Sequence, residues 1–140
     1  METRKTFIKK SLTIGAMCCT GIMTGVLASC SSIRYVAFKE NNGVISIPLS
    51  AFVKNDKVLI DESKLKAPLL VVKQENTYQA LLMLCTHKAC TLEANGAVLV
   101  CPCHGSEFSS SGKVLVGPAS KDLFEYPCKA EKDTLNIKIA

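Results

Sequence analysis

The chain has 140 residues, nearly half of them hydrophobic, with 17 Lys and Arg against 12 Asp and Glu for a formal charge of +5. That length holds one domain around one small core, and less once an export segment is removed. Arg4, Lys5, Lys9 and Lys10 stand against Glu2 alone in residues 1–29, leaving 13 of the 17 basic and 11 of the 12 acidic side chains for residues 30–140. So balanced a remainder excludes a nucleic-acid-binding surface as the organising function.

Met1 to Lys10 is a basic leader, Ser11 to Leu27 is apolar and small, and Leu27-Ala28-Ser29-Cys30 closes the segment. A basic n-region, an apolar h-region and a small-residue cleavage site predict a secretory signal over 1–29. The closing tetrapeptide resembles a bacterial lipobox, which implies that Cys30 is lipidated and becomes the first mature residue. An uncleaved anchor is the alternative, although Ser11 to Leu27 is at the short edge of what spans a bilayer. Thr3-Arg4-Lys5-Thr6-Phe7-Ile8-Lys9 resembles the twin-arginine export consensus, with Lys5 where the second Arg normally stands. That route carries folded cargo, which suits a cofactor assembled in the cytoplasm. Cys18 and Cys19 fall inside the apolar segment and leave with it on cleavage.

Residues 30–34 make a short tether, and 35–140 read as one all-β domain. Tyr35-Val36-Ala37-Phe38 and Val44-Ile45-Ser46-Ile47 flank the hairpin signal Asn41-Asn42-Gly43, with Pro48 ending the ladder. Lys57 to Ile60, Leu69 to Lys73 and Tyr78 to Leu84 follow as short strands. Asn95-Gly96 turns a further hairpin into Ala97 to Val100, and Ser109 to Gly112 is a turn before Lys113 to Val116. Leu123 to Tyr126 and Thr134 to Ile139 finish the chain around Glu131-Lys132-Asp133. No stretch keeps a helical period for three turns.

Both histidines and four of the eight cysteines lie between Cys85 and Phe108. The first group is Cys85-Thr86-His87-Lys88-Ala89-Cys90 and the second Cys101-Pro102-Cys103-His104-Gly105-Ser106, placed at two hairpin tips. Thiolates with imidazoles suit zinc, copper or iron–sulfur. Two Cys and two His can close a tetrahedral zinc site that staples a small fold. Zinc-finger spacing, however, groups cysteine with cysteine and histidine with histidine, whereas here each loop supplies one of each. That mixed, duplicated pattern suits a two-iron cluster, with Cys85 and Cys101 on one iron and His87 and His104 on the other.

At these residues the chain resembles the Rieske [2Fe–2S] family, whose loops read approximately C-T-H-L-G-C and C-P-C-H-G-S. The resemblance implies a fold of small antiparallel sheets with a cluster-binding region over 85–119. It implies Cys85 and Cys101 on the buried iron and His87 and His104 on the outer one. With two thiolates replaced by neutral imidazoles, it also implies a potential of roughly −150 to +300 mV. In exported members the cysteines matching Cys90 and Cys103 form a disulfide, which agrees with an oxidising compartment. Gly117-Pro118-Ala119 is similar to the family's proline loop, in which Pro118 limits exposure of the cluster. Ser106 occupies the position of a serine that donates to the cluster in high-potential members. Phe108 stands where those proteins often carry a tyrosine, so an intermediate potential is expected. Lys88 replaces the usual leucine, and a charged tip argues against a quinol site and for an acidic protein partner or another donor.

The resulting expectation is an electron carrier, membrane-tethered through its lipid anchor in the bacterial cell envelope and facing out of the cytoplasm. Its partner is a redox protein, a cytochrome or an oxidoreductase subunit. The rival readings are an iron–sulfur subunit of a quinol–cytochrome or arsenite-oxidase-like complex, and a zinc-stapled module. No catalytic set stands apart from the cluster, so enzymatic activity by this chain alone is not expected. Cys128 reads as a small core side chain.

Overall fold

A computed structural model describes residues 33–140, so the leader, the lipobox-like Leu27 to Cys30 and most of the tether lie outside the described residues. Among the described residues no helix is long and apolar enough to cross a membrane. The first strands are β1 (Arg34–Tyr35), β2 (Lys39–Asn41) and β3 (Val44–Pro48), followed by a 3₁₀ turn at Leu49–Phe52. The middle of the chain forms β4 (Lys57–Ile60), β5 (Leu69–Gln74), β6 (Thr77–Leu82), β7 (Glu93–Asn95) and β8 (Val98–Val100). The rest forms β9 (Glu107–Ser109), β10 (Val114–Val116), β11 (Glu125–Tyr126), β12 (Cys128–Glu131) and β13 (Thr134–Lys138).

These strands make three sheets. The central one has the order β1-β4-β5-β6-β11, the base sheet β12-β13-β3-β2, and the site sheet β10-β9-β8-β7. Leu69 to Val72 in β5 is an unbroken buried run, and successive side chains of a strand point to opposite faces. Leu69 and Val71 therefore join Ile45, Ile47, Leu135 and Ile137 of the base sheet in one core. Leu70 and Val72 join Leu99 and Phe108 of the site sheet in the other. A central sheet covered on both faces explains why β5 does not alternate with polar residues.

The Asn42-Gly43 hairpin forms as its residues predict: both lie at positive φ, 49° and 75°, as a two-residue primed turn requires. Its leading arm is Lys39–Asn41 rather than Tyr35–Phe38, because so tight a turn pairs its immediate neighbours, Asn41 with Val44. Of the expected first strand only Tyr35, with Arg34 before it, pairs, running parallel to β4, while Val36 and Phe38 pack against the base core. Of the expected strand from Leu123 to Tyr126, Glu125–Tyr126 forms β11. Pro127, which has no N–H to donate, separates β11 on the central sheet from β12 on the base sheet. Cys128 packs on the base core, half-buried, and its Sγ donates to the Tyr78 carbonyl at 2.9 Å.

Candidate metal centre

Both cysteine–histidine groups sit at strand ends that the sheets hold in place. The first is closed by the bridge between Leu84 and Thr91, the second by the pairing of Val100 with Glu107 across β8 and β9. Within them the backbone repeats one pattern. The Cys85 N–H donates to the Cys90 carbonyl and the Ala89 N–H to the Cys85 carbonyl, both at 2.8 Å. In the second loop the Cys101 N–H donates to the Ser106 carbonyl at 2.8 Å and the Gly105 N–H to the Cys101 carbonyl at 3.0 Å. Each turn closes through a left-handed residue, Ala89 at φ 55° and Gly105 at φ 73°. Glycine takes that conformation freely and alanine does not. The signal for Ala89 is positional, since it stands in the first loop where Gly105 stands in the second.

The two turns bring Cys85 and Cys101 together as free thiols, 2 % and 1 % exposed. Burial pushes the Cys85 thiol up, but the His87 backbone N–H, the Cys101 thiol, the Lys88 backbone N–H and the Ser106 hydroxyl outweigh it and hold the thiol below its ordinary value. His87 and His104 face each other edge to face, ring centroids 4.9 Å apart, with His104 exposed and His87 half-buried. The Nδ1 of His87 is buried and has no hydrogen-bond partner among the described residues. An orphaned buried nitrogen is costly unless something outside the chain's own groups satisfies it.

Cys90 and Cys103 are joined in a disulfide with their Cα atoms 6.5 Å apart, tying loop to loop. The sulfur atoms of Cys90, Cys101 and Cys103 lie within 4.8 Å of one another. Two of these are oxidised to each other and present no thiolate, so that trio is Cys101 resting against the clamp and not a ligand set.

A third segment covers the loops. Gly117-Pro118 is a cis peptide, with Pro118 exposed, and the following Ala119 N–H donates to the Oγ of fully buried Ser106 at 3.0 Å. Thr86 Oγ1 donates to the Lys121 carbonyl at 2.6 Å. The cover is thus fastened once to each loop. The sequence places Gly117-Pro118-Ala119 over the loops but shows neither of these two bonds, because only the chain's return past both loops supplies the partners. Phe108 is fully buried in the core that also holds Cys85 and Cys101, and it brings no hydroxyl there.

A family model described as the Rieske [2Fe–2S] domain matches residues 47–127, more than half of the chain. The chain belongs to the Rieske family. The cytochrome b6-f complex iron-sulfur subunit 1 of Nostoc sp. is 33% identical to it over 99 residues, 68% of this chain and 55% of that protein. The cytochrome b6-f complex iron-sulfur subunit of Chlorobaculum tepidum is 32% identical over 73 residues, covering 51% of this chain and 40% of that one. The chain therefore spans about half the length of the relatives it matches. Among solved structures, the cyanobacterial plasma membrane Rieske protein PetC3 of Synechocystis superposes with a TM-score of 0.54 at 29% identity, over 65% of this chain and 94% of that one. A chain of a hyperthermophilic respiratory Complex III gives 0.51 at 26% identity, over 64% and 71%. A Rieske domain binds a [2Fe–2S] cluster. The donors present here fit one: two buried thiols, two adjacent imidazoles, and a buried His87 Nδ1 that nothing among the described residues satisfies.

Proposed function

We propose that this protein carries single electrons through a Rieske cluster held by Cys85 and Cys101 on the inner iron and by His87 and His104 on the outer. The observation that carries the ligand set is the convergence of two buried free thiols with a pair of imidazoles, one of them bearing an orphaned Nδ1. When bound, the cluster supplies reversible one-electron chemistry. The chain's own residues do the rest. The buried thiols keep water from the inner side, His104 presents an exposed edge to a partner, and the Cys90–Cys103 bond holds the loops at fixed separation. Ser106 and Pro118 set the cover over the loops, and Phe108 packs beneath them without adding a donor.

The same reading places residues 1–29 as an export signal, Cys30 as the lipidated first mature residue, 30–34 as tether and 35–140 as the redox domain, outside the cytoplasm. A disulfide beside the ligand loops supports that compartment. A second reading, an iron–sulfur subunit of a larger oxidoreductase, is favoured by the relatives from cytochrome b6-f complexes. Purified protein should hold two irons and two acid-labile sulfides and give a Rieske-type electron paramagnetic resonance signal after reduction. Cys85→Ser and Cys101→Ser should abolish both. A colourless wild-type protein with stoichiometric zinc would sink the proposal. Purification from membranes separates the two readings, since a subunit brings its catalytic partner with it.

A further inference from the structure

We infer that the loop tip is a docking surface for the acidic face of a redox protein, an inference that rests on the electron-carrier reading above. Three segments form the tip: 85–91, 101–106 and 113–123. Their charged side chains are Lys88, Lys113, Lys121 and Asp122. Asp122 is already engaged, with one carboxylate oxygen 2.7 Å from Lys113 Nζ and the other accepting the Val114 N–H at 3.0 Å. Lys88 and Lys121 are exposed, and among the described residues neither forms an ion pair. The Thr86 hydroxyl bonded to the Lys121 carbonyl fastens the Lys121 backbone beside the first loop, which carries Lys88.

The ligand set proposed above does not neutralise them. Two ferric ions, two sulfides, two thiolates and two neutral imidazoles carry no net charge together, and one added electron makes the group negative. The oxidised tip therefore stays cationic and the reduced tip is less so. Outside the tip segments, Glu93 and Glu107 stand in register with Val100 across the site sheet, Glu107 also pairing with Val116 of β10, and Glu125 acts electrostatically on Lys113. Among the described residues, the tip charges left without an ion pair are thus Lys88 and Lys121.

Beside the lysines lies an apolar strip. Leu115 and Val116, 54% and 47% exposed, are on β10 at the edge of the site sheet and run directly into Gly117-Pro118. An apolar strip with a cationic rim suits a protein partner whose carboxylates meet the rim. It does not suit an apolar quinone pocket, where a buried lysine would lose its hydration without compensation.

The test uses the holoprotein and two immobilised haem proteins of opposite surface charge, acidic cytochrome b5 and basic cytochrome c, in a salt series by surface plasmon resonance. Binding should favour the acidic cytochrome and weaken with salt. Lys88→Glu with Lys121→Glu should lower affinity for it about tenfold at low ionic strength. Lys39→Glu with Lys138→Glu, an equal charge change on exposed residues of the base sheet, should change it far less. Leu115→Ser should weaken binding at all salt concentrations. Equal effects of the tip and base reversals, or a preference for the basic cytochrome, would overturn the docking surface. Each variant's paramagnetic resonance signal is recorded alongside. A wild-type protein without the signal defeats the electron-carrier reading, whereas an intact signal with binding that follows net charge alone defeats only the docking surface.

Discussion

The two cores of this molecule are built in different ways, although they share the central sheet. In the base core Ile45, Ile47, Val58, Ile60, Leu135 and Ile137 are fully buried and purely aliphatic. The strands that carry them are joined by long regular ladders, such as β13 with β3 from Thr134↔Pro48 to Lys138↔Val44. In the site core the contributors include Met83, Cys85, Cys101 and Phe108, and each site-sheet strand has only 3 residues, with a bulge between Val114 and Val116. The base is held by many equivalent contacts, each replaceable in kind. The site end is held by a few specific ones: two matched turns, one disulfide, and one hydrogen bond from the cover to each loop. A region that must offer thiols and imidazoles to a metal cannot fill its space with aliphatic side chains, so bonds specified one at a time replace regular packing.

That contrast can be broken experimentally, beginning with its largest expected effect. Ile137→Ala, at a fully buried base position, should cost about 4 kcal/mol through lost burial and a cavity. It should appear as a lower urea midpoint while the cluster spectrum of the remaining folded protein stays unchanged. Replacing Cys90 and Cys103 together by serine opens a link across a sequence separation of 13 and should cost about 3 kcal/mol. Here amide exchange should quicken in β8 and β9 more than in β3 and β13; equal quickening in all four would show that the two cores unfold as one. Ser106→Ala leaves the Ala119 N–H without its acceptor in a buried place and should cost about 2 kcal/mol. Val114 to Leu123 should then lose amide protection before the base does. The smallest effect has the opposite sign. Ala89→Gly relieves a left-handed alanine and should stabilise the protein by about 1 kcal/mol, read as a raised thermal midpoint.

Much of this was legible in the residues. The hairpin at Asn42-Gly43, the strands Lys57–Ile60 and Leu69–Gln74, and the turns around the ligand groups follow from local pattern and turn chemistry. Glu107–Ser109 escaped, because Phe108 is its only apolar residue and the strand runs straight into a serine-rich turn. The 3₁₀ turn at Leu49–Phe52 escaped because four residues are too few to show a period. At the site, the residue types marked out the two cysteine–histidine groups, while the fastenings from Thr86 and Ser106 did not show. Their partners lie 35 and 13 positions away, and no local rule predicts such contacts.

What the sequence determined by itself was chemistry and local shape. Thiol and imidazole spacing, turn residues and apolar alternation act within a few residues, so they can be read without knowing where the chain goes next. What only the tertiary structure decided was assignment to place. It set which strands share a sheet, as Leu135 finds Ile47; which face of β5 meets which core; and which residues close over the loops. Those choices depend on burying all the apolar surface at once, and that is a property of the whole chain.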